Sequence, residues 1–323
     1  FRKALERLIE RNPNPYNSES YYLLGLSLYY QKKDEEAYDA FYKATWSNEQ
    51  QEMSFYYLAA IDAKSGKYEK ALEHIEKGLV KNAHNIKARG LKAYLLRKLG
   101  KAEKAALWIK ENLELDPFDF VSGNEQIIQN DSAAGTDLRE ALNRRMRNFR
   151  ENYLMSARDY AEWGAYAEAA ELLHECTEEY PMLYYYAAYY NSLSGQDVSA
   201  LLEKAEKSSP DYCFPNKLED IEVLRFAVAS GCRAKAAYYL GCLLYDKLQW
   251  QEAVGLWEIS AQAQPGFSLV HRNLSLACYN KKKEYEAAGR EMEAAYALDT
   301  SDARIFLELD QLHKKLGMSF EER

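Results

Sequence analysis

The chain has 323 residues and a formal net charge of −8, which argues against a protein that neutralises nucleic-acid phosphates. Hydrophobic residues make up 47%, and no run of them approaches the ~18 residues of a membrane span, so we expect a folded protein without membrane insertion. The five cysteines include no CxxC pair, which argues against a disulfide framework or a zinc site and favours a reducing, cytoplasmic location.

The first predicted element is a helix that already includes Phe1 and extends to Leu8. Helices are favoured throughout, because the chain has only 15 glycines and 7 prolines and is rich in Ala, Leu, Glu and Lys. No initiator methionine or signal sequence precedes Phe1, and we therefore expect the sequence to be part of a longer protein.

A 34-residue period follows this first helix, and such a period is typical of paired helices that stack in series. The twentieth position of every repeat is alanine, which predicts a small side chain where two antiparallel helices cross. The predicted repeats start at Ser18, Glu52 and Ile86, then near Arg150, Pro181, Ala234 and Ser268. The alanines are Ala37, Ala71, Ala105, Ala169, Ala200, Ala253 and Ala287.

Glycine marks a second close contact between the paired helices. Gly25 and Gly241 occupy the eighth position of their repeats, and the large residues Phe41 and Trp257 occupy the twenty-fourth. We predict that each glycine lets the backbone approach the large side chain of the second helix.

These positions resemble the tetratricopeptide-repeat family over most of the chain. The resemblance implies an all-α fold, a right-handed superhelical α-solenoid of antiparallel helix pairs, in which the first helix of each pair lines a concave groove. Family members that capture chaperone C-terminal carboxylates use Lys at position five and Asn at position nine. Those positions hold Tyr22 and Leu26, then Tyr56 and Ala60, so that activity is not expected.

Two intervals break the period, near 118–149 and near 209–233. The first contains a loop from Asn130 to Gly135, and an apolar stripe after Thr136 predicts one long helix from Thr136 to Trp163. The second contains Pro210 and Pro215 and then a helix over about 218–230. We therefore predict an N-terminal repeat block over 1–117, an insertion with a connecting helix over 118–163, and a C-terminal block over 150–323 that is degraded near 200–233.

Tyrosine is the compositional outlier, with 27 residues against 11 phenylalanines. By the family resemblance, positions five, nine, twelve and thirteen of the first helices face the groove, where tyrosines and arginines could bind an extended peptide, a partner helix or a glycan. Alternatively, the tyrosines fill half-exposed positions between stacked helices. The predicted groove residues are Tyr22, Tyr29, Tyr30, Tyr56, Tyr94, Arg97, Arg158, Tyr185, Tyr189, Tyr238, Tyr245, Arg272 and Tyr279.

No motif for a nucleotide, metal or catalytic nucleophile is present, so no catalytic residue, metal or cofactor is expected. The one cluster of reactive types, His174 to Cys176, would diverge on a helix. A group of arginines is interpreted either as a solvated helix face or as a docking patch for an acidic partner. These are Arg139, Arg144, Arg145, Arg147 and Arg150.

We expect a non-catalytic scaffold that binds a protein or peptide segment in the tyrosine groove. One alternative is an oligomerisation or regulatory module of a larger enzyme, acting through self-association. The segment from Asn152 to Ala169 resembles the C-terminal repeat regions of large bacterial proteins whose N-terminal β-rich domain is related to carbohydrate-processing enzymes. A second alternative is direct binding of a glycan.

Overall fold

The computed structural model describes residues 2–130, 133–321 and 323, and the predicted helix start at Phe1 and the loop residues Asp131 and Ser132 lie outside them. The described residues form nineteen α-helices and no β-strand, which confirms the predicted all-α class. None of these helices is both long enough and apolar enough to cross a lipid bilayer. The chain divides into two compact units.

Unit 1 comprises residues 1–178 with 193–195. Its helices pack as consecutive pairs, α2 with α3, α4 with α5, α6 with α7, α8 with α9 and α10 with α11. The helices are α1 Arg2–Arg11, α2 Glu19–Tyr29, α3 Asp34–Ala44, α4 Gln51–Lys64, α5 Tyr68–Lys81, α6 Ile86–Lys98, α7 Ala102–Leu115, α8 Phe120–Gln129, α9 Ala133–Met146, α10 Arg150–Glu162 and α11 Tyr166–His174.

Unit 2 comprises residues 179–192 and 196–323. Its most extensive pairs are α15 with α16 and α17 with α18, and α19 packs on α18. The helices are α12 Pro181–Leu193, α13 Ser199–Lys207, α14 Leu218–Ala229, α15 Lys235–Asp246, α16 Trp250–Ala263, α17 Ser268–Ala277, α18 Tyr285–Leu298 and α19 Ala303–Lys315.

The glycines at the helix crossings have the predicted role. A Cβ on Gly25 would lie 2.7 Å from the Phe41 ring, and a Cβ on Gly241 would lie 2.5 Å from the Trp257 indole. Both distances are far below van der Waals contact, so only glycine allows the second-helix aromatic ring to lie against the first-helix backbone. The predicted close contact is confirmed at both positions.

The alanine at the twentieth position of each repeat was predicted to lie at a helix crossing. This prediction is confirmed in five repeats and wrong in two. Ala37, Ala71, Ala105, Ala169 and Ala253 are fully buried, but Ala200 is exposed and Ala287 is half-buried. A π-helical turn at Cys278–Lys282 adds a residue before α18, so the fully buried alanine there is the next one in the sequence. Near Ala200 the helix is short, and its buried residues are Leu202 and Ala205.

The predicted long helix from Thr136 to Trp163 is wrong. Thr136 lies inside α9 rather than at its start, and the chain leaves the helical conformation at Arg147 and Asn148, whose φ angles are 57° and 50°. The Asn148 side chain accepts a hydrogen bond from the Thr177 backbone N–H at 2.7 Å, which holds the break in place. Two helices therefore replace the one predicted from the apolar stripe.

The first interval of broken period, 118–149, is helical, and its helices α8 and α9 pack against each other as a pair. The second interval holds the predicted helix as α14, Leu218–Ala229, preceded by non-helical residues around Pro210 and Pro215. The division into repeat blocks at 117 and 150 stays a prediction. The two compact units do not test it, because they are defined by contacts within the chain and not by the repeat boundaries.

Replacing Gly241 by alanine should lower the free energy of unfolding by about 1–3 kcal/mol, because the added methyl group overlaps the Trp257 indole. Urea unfolding followed by circular dichroism measures this loss. Gly255 in α16 is the matched control, since a Cβ there meets no atom within 4 Å. G255A should raise the unfolding free energy by about 0.5–1 kcal/mol through helix propensity. Equal effects of the two substitutions would contradict the packing argument.

Candidate functional site

Helix α10 lies against the first helices of unit 1, where it contacts α4 and α8. Trp163 follows its last turn and is fully buried, and a Cβ on Gly90 of α6 would be in ordinary van der Waals contact with the indole, at 3.6 Å. Gly164 passes so close to α4 that a Cβ would lie 3.1 Å from the Lys64 Cα. The chain thus covers this first-helix face with its own fifth helix pair.

One end of the contact is a polar network around Glu162. Its carboxylate accepts a hydrogen bond from the Tyr56 hydroxyl at 2.7 Å and pairs with the Lys87 ammonium at 2.8 Å. Lys87 also pairs with Asp159 at 3.1 Å, and the Trp163 indole N–H donates to the Tyr56 hydroxyl at 3.1 Å. These bonds fix α10 against α4 and α6.

The other end is built on Glu125, whose side chain is fully buried in α8. Arg97 of α6 donates to both of its oxygens at 2.6 and 3.0 Å, and it pairs with Glu168 of α11 at 3.0 Å. The Tyr160 hydroxyl donates to Glu125 at 2.9 Å and accepts from Asn124 at 3.0 Å. Removing either charged partner would leave a buried charge uncompensated, which typically costs several kcal/mol.

Burial sets the electrostatics of this contact. It raises the pKa of Asp159 to about 6, even though the nearby Lys87 ammonium opposes the shift. Burial alone lowers the pKa of Lys87, but the carboxylates of Glu162 and Asp159 raise it by more, so the ammonium is held charged. Burial also raises the pKa of Tyr56 and Tyr160 well above the ordinary value, so both hydroxyls stay protonated.

The predicted groove residues of unit 1 lie in different environments. Tyr56 and Tyr94 are buried beneath α10, so their assignment to an open groove is wrong, and Arg97 is held by Glu125 and Glu168. The expectation failed because it assumed that nothing from later in the chain covers the first helices. Tyr22, Tyr29 and Arg158 are half-buried, and Tyr30 is exposed.

Sequence reasoning missed Lys87, Asp159, Glu162 and Trp163, which form the contact. The spacing of Asp159, Glu162 and Trp163, at the end of α10 and directly after it, was a visible signal, since it places two carboxylates and an indole within two turns. Their partners lie more than 70 residues earlier, and no periodic pattern links the two segments.

In unit 2, Tyr185 is fully buried and is likewise not a groove residue. Its hydroxyl donates to Glu206 at 2.5 Å, and the same carboxylate accepts the backbone N–H of Ala236 at the start of α15. This bond joins α12 to the α13 carboxylate that caps α15, which accounts for the burial. Tyr189 is half-buried and donates to Glu222 of α14 at 2.6 Å.

The other predicted residues of unit 2 lie on α15, on α17 and in the π-helical turn Cys278–Lys282 that follows α17. Tyr238 packs on Phe267 at 4.8 Å between ring centres, and Tyr245 packs on Trp257 at 5.1 Å. Arg272 makes a bidentate ion pair with Glu308, at 2.6 and 2.5 Å. We call the half-buried side chains of Tyr238, Tyr245, Arg272 and Tyr279 the unit 2 face.

A cavity adjoins the unit 2 face between α17 and α19. Its lining combines apolar and polar side chains, and Tyr279 is one of them. The lining residues are Ser275, Leu276, Tyr279, Asn280, Met292, Glu308, Gln311, Leu312 and Lys315.

Other candidate chemistry is accounted for by structural contacts. Arg139 pairs with Glu175 at 2.6 Å, and Arg150 pairs with Glu178. Within His174 to Cys176, the Glu175 carboxylate faces Arg139 and the Cys176 thiol donates to a backbone carbonyl. In the part of the chain that the structure describes, no group of His, Cys, Asp or Glu side chains could hold a metal ion.

The raised pKa of Asp159 predicts a pH-dependent stability. A folded-state pKa above the unfolded value favours the protonated form, so this contribution to stability is lost as the pH rises through about 6. Asp159→Asn has no carboxyl to ionise. The unfolding free energy of D159N minus that of wild type should therefore be larger at pH 7.5 than at pH 4.5, by about 1–3 kcal/mol. D159N thus gains stability relative to wild type as the pH rises.

Chemical unfolding at several pH values measures this difference. Asp39→Asn, on the exposed face of α3, is the control and should differ from wild type by less than about 0.5 kcal/mol at each pH. If the difference in unfolding free energy between D159N and wild type is the same at pH 4.5 and pH 7.5, burial does not raise the pKa of Asp159.

Comparison with known proteins places the fold in a family. The family described as anaphase-promoting complex, cyclosome, subunit 3 matches residues 3–78, and the family described as tetratricopeptide repeat matches residues 58–120. A tetratricopeptide repeat protein from Parabacteroides merdae ATCC 43184 is 17% identical, with a TM-score of 0.44 over 75% of this chain and 91% of that one.

Two further solved structures are similar. The Cut9–Hcn1 hetero-tetramer of the anaphase-promoting complex is 13% identical, with a TM-score of 0.34 over 96% of this chain and 59% of that one. YrrB, described as a protein with an unusual peptide-binding site, is 15% identical, with a TM-score of 0.28 over 74% of this chain and 99% of that one. The 34-residue period and the paired helices are those of a tetratricopeptide-repeat solenoid, and the two family models together match residues 3–120 of the chain.

Proposed function

We propose that the chain is a non-catalytic scaffold that binds a segment of another protein on the unit 2 face. One contrast carries the proposal. In unit 1 the tyrosines at the core of the predicted groove are covered by α10, whereas Tyr238, Tyr245 and Tyr279 in unit 2 are only half-buried. The solvent-facing edges of these three rings are one part of the predicted groove that can still contact a partner, and Tyr279 also lines a cavity.

The chemistry of the unit 2 face suits a peptide. A tyrosine ring offers a rigid apolar surface, with a hydroxyl for hydrogen bonding and little side-chain entropy to lose on binding. The adjoining cavity is lined by the apolar side chains of Leu276 and Leu312 and by the polar side chain of Gln311. An apolar side chain of the partner would fill the cavity while the partner's backbone contacts the polar lining residues.

Selection of a random twelve-residue peptide library on phage tests the proposal. The full chain should enrich peptides that bind Y245A and Y279A at least about fivefold more weakly, as expected for interface hot spots. Gln311→Arg gives an independent test, since it places a bulky cation in the cavity lining without removing any core side chain. Circular dichroism verifies that each variant is folded.

Tyr42→Ala is the control, since this tyrosine is exposed on α3 of unit 1. Peptides that bind all three unit 2 variants as tightly as wild type would place the binding site elsewhere. The alternatives give other results in solution. A dimer that Y279A dissociates would favour self-association, and quenching of tyrosine fluorescence by an oligosaccharide would favour a glycan.

A further inference from the structure

Two lysines of unit 2 are separated by one repeat length. Lys281 lies in the π-helical turn after α17, and Lys315 is the last residue of α19, one 34-residue repeat later. Each ammonium stands over a tyrosine of the preceding first helix. Lys281 is 5.9 Å from the centre of the Tyr245 ring, and Lys315 is 5.4 Å from that of Tyr279. We call these two lysine–tyrosine pairs the lysine ladder.

The ladder ammonium groups are available to a ligand. Both lysines are exposed, and neither forms an ion pair with any carboxylate of the described residues. Lys282, the residue after Lys281, is in contrast paired with Glu258 at 3.0 Å. The tyrosine rings hold the lysine stems near the surface, which reduces the entropy that the side chains lose when an anion binds.

The carboxylate in the cavity lining is compensated. Glu308 lines the cavity beside Lys315, and both of its oxygens are held by Arg272, with a further contact from Arg304 at 3.0 Å. These guanidinium groups lower the pKa of Glu308 although burial raises it, so the carboxylate is ionised and neutralised by its partners. Lys315 therefore lines the cavity without an unpaired carboxylate beside it in the lining.

We propose that the lysine ladder binds an acidic segment of a partner protein, with an apolar side chain of that segment in the adjoining cavity. This inference rests on the proposed function and adds the chemical class of the partner. The ladder lysines lie at the C-terminal ends of the first helices. Family members that capture carboxylates use the fifth and ninth positions of the repeat instead.

Unit 1 contains an intramolecular example of the same chemistry. There α10 presents the carboxylates of Asp159 and Glu162 with the Trp163 indole beside them, and Lys87 receives both carboxylates. Lys87 also stands 5.2 Å from the centre of the Tyr56 ring, as the ladder lysines stand over theirs. A lysine over a tyrosine on the first helices of this chain thus already holds an acidic segment that carries a large apolar side chain.

The peptide selection is repeated with the double variant K281Q/K315Q and with K110Q/K207Q as the matched control. The control removes two charges from exposed helix positions on α7 and α13. Peptides enriched by the wild type should contain at least about twice as much Asp and Glu as the starting library. Their affinity for K281Q/K315Q should fall about fivefold to twentyfold, with less than about a twofold change for the control.

Salt and polyanions give a second test with the same enriched peptides. Raising NaCl from 50 to 300 mM should weaken wild-type binding several-fold and leave K281Q/K315Q almost unaffected. A twelve-nucleotide single-stranded DNA should compete poorly, since it has no side chain for the cavity. Equal competition by that DNA would overturn the peptide assignment and identify a general polyanion site.

The two proposals fail differently. An enriched pool without excess acidic residues, which Y245A weakens and K281Q/K315Q does not, would overturn the acidic partner and leave the scaffold function standing. Failure to enrich any peptide on the full chain would overturn both.

Discussion

The contact of Glu162 with Tyr56 and Lys87 decides which surfaces of unit 1 are available. This carboxylate joins the fifth helix pair to the second and third, and Trp163 closes the space beside it. Burying a carboxylate and an ammonium is costly, and the pair offsets that cost only because every neighbour is oriented to bond them. An interior of tyrosines and ion pairs therefore takes the place of a groove that could be open to a partner.

Glycine and alanine at the helix crossings make these contacts possible. With Phe41 against Gly25 and Trp257 against Gly241, the paired helices approach closely, and each pair has a definite orientation. Gly90 acts in the same way between neighbouring pairs, since a Cβ there would lie 3.0 Å from Val121 of α8. Close packing within a pair and between neighbouring pairs thus depends on the absence of a side chain at particular first-helix positions.

The sequence was sufficient for what depends on neighbouring residues. The helix pairs, the glycine contacts and five of the buried alanines follow from a period that each repeat satisfies locally. The errors arose where one residue changed the register, as in the π-helical turn before α18, or where a side chain fixed a turn, as Asn148 does after α9. Neither event leaves a periodic signal, because each depends on a contact with one particular residue.

The fate of the tyrosines shows why the site was harder to predict than the fold. Tyr56 and Tyr238 occupy the same repeat position, yet the first is buried and the second half-buried. Tyrosine suits both environments, since its ring packs like a core residue and its hydroxyl bonds equally well to water or to a buried carboxylate such as Glu162. What distinguishes the two positions is the segment that covers them. A position-by-position reading can identify the surface of a repeat, but whether that surface is open depends on where the rest of the chain lies.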